Sequence, residues 1–154
     1  MMKSLRVIPA LSTAAFLLLF PKQSYCQIII VGGNQLLSIT TGIAGGQPAS
    51  VVNTNSSLRF RLHGVVQRIT VSTSCPGQRF TLQVVATNAT AGIPAPPVTL
   101  IDGAPAANFL TNIPAAGGNG RCTLQYTASA TFAQGNSGEL GNDIHTVTYT
   151  IIAP

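Results

Sequence analysis

Tryptophan is absent from this 154-residue chain, and charged residues make up only 7% of it. Beyond residue 26 there is no lysine. Five arginines (Arg59, Arg61, Arg68, Arg79 and Arg121) stand there against three carboxylates, Asp102, Glu139 and Asp143, for a net charge of +2. The +5 of the whole chain therefore owes three cations, Lys3, Arg6 and Lys22, to its first 26 residues. So small an excess argues against nucleic acid, whose binding rests on neutralising many phosphates. It is also poor provision for a freely soluble monomer, which keeps a well-charged surface. The outer surface must be built from Thr, Ser, Asn and Gln. Titratable groups for catalysis are equally scarce, at two histidines and three carboxylates. No GxSxG or HExxH pattern accompanies them, so no enzyme is expected. Asp143 and His145, two apart on a strand, could set a carboxylate beside an imidazole, but a solvated strand start is the simpler reading.

Helical periodicity is missing beyond residue 26. What comes before it is a positive start (Lys3, Arg6), an apolar run over 7–20 and a polar stretch with Ser24 and Cys26 at the −3 and −1 positions of a cut before Gln27. This pattern predicts a signal peptide over 1–26, its apolar run too short for a comfortable bilayer span. The remaining 27–154 is expected to be one exported domain, secreted, periplasmic or at the cell surface, with no membrane span after cleavage. Cleavage leaves two cysteines. An even pair in an oxidising compartment predicts a Cys75–Cys122 disulfide, worth up to about 4 kcal/mol. Two cysteines without a CxxC and with distant histidines are a poor zinc set, so no metal or cofactor is expected.

The longest regular pattern is Cys122–Phe132. Cys122, Leu124, Tyr126, Ala128, Ala130 and Phe132 alternate strictly with polar residues, which predicts a long strand with one face in a core. Leu58, Phe60 and Leu62 alternate with Arg59, Arg61 and His63. Residues 35–41, with Leu37 and Ile39 alternating, 79–87, with Phe80, Leu82 and Val84 on one face, and 143–152, with Val147, Tyr149 and Ile151 inward, carry the same period, and shorter strands are expected at 65–72, 98–101 and 107–113. Cys75-Pro76-Gly77 reads as a turn, and 114–120 as a flexible one. Fifteen glycines and eight of the ten prolines lie beyond residue 26 and punctuate these strands. The fold class is all-β, a single immunoglobulin-like antiparallel sandwich behind a signal peptide. Tyr126 and Tyr149 are expected at the core edge, their hydroxyls reaching a partner.

Three surface features stand out. Ile28, Ile29, Ile30 and Val31 are apolar at successive positions, so this segment wants cover on both faces and is a candidate contact strand for a partner. Arg59, Arg61 and, from the next strand, Arg68 form a candidate stripe for an anionic partner. No aromatic interleaves it for base stacking. The loop Asn136–Asp143 carries several oxygen ligands, although its spacing fits no EF-hand, and a plain polar turn is the alternative to a calcium site. Asn55 and Asn88 open N-x-S/T sequons that would accept glycans in a eukaryotic secretory pathway.

On Cys122–Phe132 and the ending His145–Ile151, the chain resembles bacterial pilin and spore-coat-U type subunits. These are small exported immunoglobulin-like domains with one disulfide and a Thr-rich last strand, in which an N-terminal segment can complete a neighbour. Ile28–Val31 occupies the matching place. Tyr149 departs from the pattern by lying five residues before the end, and Cys75 comes late in the chain. The resemblance implies an exported structural or surface protein, a pilus- or fibre-type subunit assembling by strand pairing with itself or another surface protein. The alternative is a monomeric secreted binding module for a glycan or protein partner.

Overall fold

A computed structural model describes residues 27–153 apart from 43, 63 and 136. The expected signal peptide and the outward place of His63 lie outside the described residues. The described residues form nine strands: β1 (Ile28–Val31), β2 (Val51–Leu62), β3 (Gln67–Ser74), β4 (Thr81–Thr87), β5 (Ile93–Pro94), β6 (Val98–Leu100), β7 (Ala107–Ile113), β8 (Gly118–Ser129) and β9 (Thr146–Ile152). They form two antiparallel sheets in the orders β1-β2-β8-β4-β6 and β5-β7-β3-β9. The fold is all-β, a sandwich of two facing antiparallel sheets. From β2 onward each strand crosses to the sheet opposite its predecessor, and only β1 and β2 pair in sequence.

The alternation places the core. Leu58 and Phe60 of β2, Val84 and Ala86 of β4 and Cys122, Leu124 and Tyr126 of β8 turn inward from the first sheet. Ile69 and Val71 of β3, Phe109, Leu110 and Ile113 of β7 and Tyr149 of β9 meet them from the second. The Phe109 and Tyr149 rings pack edge to face with centroids 5.0 Å apart, a favoured aromatic arrangement. Tyr126 and Tyr149 are partners across the sandwich, their hydroxyl oxygens 2.9 Å apart.

β8 starts four residues before Cys122, within the stretch expected to be a flexible turn. Gly120 lies opposite Phe60, and a Cβ there would come within 2.2 Å of the Phe60 ring. The aromatic ring covers the glycine and completes the strand. At its other end β8 stops at Ser129, and Phe132 begins a 3-10 turn (Phe132–Gln134) with its side chain 65% exposed rather than in the core. A single helical turn, α1 (Ser137–Leu140), follows where a loop was expected. Residues 35–40 alternate in burial as their pattern predicts but have no ladder partner, and Leu37 rests on the core from outside the sheets.

The expected disulfide is not formed: Cys75 and Cys122 are both buried free thiols. Cys122 lies opposite Leu58. The Cys75 amide binds Asp102, just past β6, whose Leu100 pairs with Leu82, itself opposite Ala128. About 20 Å of strand separates Cys122 from Ala128, whereas a disulfide needs Cα atoms within roughly 7 Å. The two thiols occupy opposite ends of the sandwich.

Candidate functional site

β1 is the outermost strand of the first sheet, antiparallel to β2 with Ile28 opposite Phe60 and Ile30 opposite Leu58. The Arg61 amide donates to the Gln27 carbonyl at 3.0 Å, so residues 27, 29 and 31 spend their backbone groups on β2. In an antiparallel ladder the alternate residues, Ile28 and Ile30, then direct N–H and C=O to the free edge. Ile28 is half-buried on the core, while Ile29, Ile30 and Val31 are 46%, 47% and 41% exposed. No Lys, Pro or acidic residue guards this edge, the devices that ordinarily prevent strand addition.

Beside it, the outer face of the same sheet carries a basic groove. Arg59 and Arg61 project from β2 and Arg121 from β8, with Arg59 directly opposite Arg121. Gln27 and Ile29 of β1, Asn119 and Thr90 complete an open groove of about 580 Å³ above Phe60 and Gly120. Two like charges facing across a ladder destabilise it. The described carboxylates are elsewhere: Asp102 and Asp143 serve the Cys75 turn, and Glu139 is on α1. Arg68, expected to extend this stripe, is on β3 of the second sheet, exposed between buried Gln67 and Ile69. It therefore faces the other side of the sandwich. The chain crosses sheets between β2 and β3, and Arg121 takes the place assigned to Arg68.

The opposite end is built around the turn Cys75–Gln78. Pro76 and Gly77 (φ 75°) occupy its central positions, and the Gln78 amide donates to the Cys75 carbonyl at 3.0 Å, the type II arrangement that favours proline followed by glycine. Asp102 Oδ1 accepts the Cys75 amide at 2.7 Å, and the Asp102 amide donates to Gln78 Oε1 at 2.8 Å. Asp143 Oδ2 accepts the Arg79 and Phe80 amides at 2.9 and 2.8 Å. The β3–β9 register pairs Ser74 with Thr146, so one step further on it sets Cys75 opposite His145. The Cys75, Asp143 and His145 ligand atoms all lie within 4.8 Å of one another. Thr73 Oγ1 is 3.1 Å from His145 Nδ1. Burial pushes the Cys75 thiol up, helped by the Asp143 and Asp102 charges and opposed by the Ile144 amide. Burial lowers His145, against the pull of the same two carboxylates. A buried thiol held protonated is not a poised nucleophile.

The Asn136–Asp143 stretch, considered for calcium, is partly taken up by α1, and Asn136 lies outside the described residues. Asp143 turns its carboxylate to the backbone of Arg79 and Phe80. Both sequon asparagines are exposed, Asn55 at an irregularity of β2 and Asn88 in a left-handed conformation after β4. Among the described residues no helix is long and apolar enough to cross a membrane. Together these features define an all-β sandwich with an unguarded apolar edge strand, an adjoining basic groove and a thiol-imidazole-carboxylate cluster. Comparisons with protein-family models, curated proteins and solved structures found no match.

Proposed function

We propose that this is an exported structural or surface protein whose copies assemble by strand pairing along β1. The observation that carries the reading is the free edge itself. Ile28 and Ile30 offer unpaired backbone groups to the outside, and Ile29, Ile30 and Val31 add apolar side chains that a paired strand would cover. A second copy supplies a suitable strand: β9 is the edge of the other sheet, and its exposed Thr146, Thr148 and Thr150 are uncharged. Pairing of β1 with β9 of the next copy is heterologous and propagates as an open fibre, whereas β1 with β1 closes as a dimer. The low charge of the chain leaves little repulsion against either. Deleting Gln27–Val31, or placing lysines at Ile28 and Ile30, should leave far-UV circular dichroism unchanged and abolish assemblies seen by light scattering and electron microscopy. Unfolding on deletion would make β1 a core strand and sink the reading.

A second reading, a binding module for an anionic glycan, is favoured by the Arg59–Arg61–Arg121 groove. Guanidinium forks match carboxylate and sulfate oxygens bidentately, and Gln27 and Asn119 line the groove with amide groups that suit sugar hydroxyls. The groove has no exposed aromatic ring on which bases could stack, since Phe60 is buried. Immobilised sulfated polysaccharide should retain the wild-type protein at low salt and lose Arg121→Gln, while retaining Arg68→Gln. Equal loss in both variants would reduce the effect to general charge.

A further inference from the structure

We propose that Cys75, Asp143 and His145 form a three-ligand site for a thiophilic divalent metal of the zinc class, which clips the end of β3 to the start of β9.

The three groups come from two stretches remote in sequence, brought together by the antiparallel β3–β9 ladder and by the bonds from the Arg79 and Phe80 amides to Asp143. Their donor atoms lie within 4.8 Å of one another, against roughly 3.5 Å between ligands around tetrahedral zinc. The contraction needed is about 1 Å, within reach of small side-chain rotations. Thiolate, imidazole and carboxylate are a donor set suited to zinc and its neighbours rather than to calcium or magnesium.

The surroundings are those of a metal site. Thr73 Oγ1 meets His145 Nδ1 at 3.1 Å and fixes the ring, as outer partners of ligating histidines do. Asp143 is held by two backbone amides on Oδ2, which leaves Oδ1 free to coordinate. Asp102, anchored on the Cys75 amide, adds a second negative charge beside the cluster. Cys75 is buried, while Asp143 and His145 are half-buried and open toward solvent. A cation therefore has a way in, and a water can fill the fourth position. None of this bears on β1, which belongs to the other sheet, so the site stands whether or not the chain assembles.

The test is a titration of the reduced protein with Co²⁺. One equivalent should produce a thiolate-to-cobalt charge-transfer band with visible bands of tetrahedral intensity, and Zn²⁺ should displace it. Cys122→Ser should behave as wild type. Cys75→Ser should lose the charge-transfer band, and His145→Ala should weaken binding at least tenfold, with circular dichroism confirming that each is folded. Zn²⁺ should raise the melting temperature of wild type and Cys122→Ser but not of His145→Ala. If Cys75→Ser fails to fold, His145→Ala at its half-exposed position decides alone. Absence of the band at one equivalent, a band that survives Cys75→Ser, or unchanged affinity in His145→Ala would overturn the proposal.

Discussion

Removing both hydroxyls of the Tyr126–Tyr149 pair should cost much less than the sum of removing each alone. The oxygens lie 2.9 Å apart and the residues are only 8% and 7% exposed, so each hydroxyl is the other's main substitute for water. Tyr149→Phe leaves the Tyr126 oxygen buried without its partner, a loss of about 1–3 kcal/mol; Tyr126→Phe does the same to Tyr149. The double phenylalanine variant leaves no orphan and keeps the edge-to-face packing on Phe109, so its loss should fall well short of the sum. Urea denaturation of the four proteins, read as midpoints at unchanged slope, gives the coupling directly. Additivity within about 0.5 kcal/mol would refute the reasoning. The same pair sets an alkaline limit. Burial raises both phenols above their ordinary 10.0, so the folded state holds these protons more tightly than the unfolded chain. Their contribution is complete below pH 10.0 and is lost as pH climbs above it. The double variant should flatten that decline. Phenolate absorbance rising near pH 10 while the protein remains folded would contradict it.

Other outcomes follow from single residues. Cys122 is buried, and burial pushes its thiol up to about 11. A maleimide at pH 8 should leave it unmodified until denaturant is added, when both Cys75 and Cys122 label; non-reducing peptide mapping that finds them bridged would contradict the two free thiols. Gly120→Ala should destabilise by about 1–3 kcal/mol, because its Cβ displaces the Phe60 ring from a packed core. Restored stability in the Gly120→Ala, Phe60→Leu double variant identifies that contact, and a neutral single variant excludes it.

Much of the fold was legible because its strands bury one face only. Leu58 and Phe60, or Leu124 and Tyr126, announce inward positions by period alone, and Pro76-Gly77 announces its turn. What failed depended on partners that period does not reveal. Gly118–Gly120 reads as a loop until Phe60 is known to lie opposite. Phe132 continues the alternation but falls beyond the last β4–β8 pair, Thr81 with Ser129, so nothing is left for it to pack upon. Arg68 joins the stripe only if β2 and β3 share a sheet, and they lie in different ones. The Cys75 cluster is visible in the sequence only in pieces, Asp143 and His145 as a pair and Cys75 as a turn residue, and only the β3–β9 register with the Asp143 bonds to the Arg79 and Phe80 amides unites them. Ile28–Val31 was conspicuous as the one short run that breaks the alternation, yet its composition fits a buried strand as well as the exposed edge that it forms.

The most direct test of assembly through β1 is sedimentation velocity over a wide concentration range on the wild type and Ile30→Pro. Proline at 30 removes an N–H that points to the free edge and takes no bond from the β1–β2 ladder. The wild type should show mass rising with concentration, and Ile30→Pro should stay monomeric with the same circular dichroism. A wild type that remains monomeric throughout, or an Ile30→Pro protein that assembles as well as the wild type, would contradict the account.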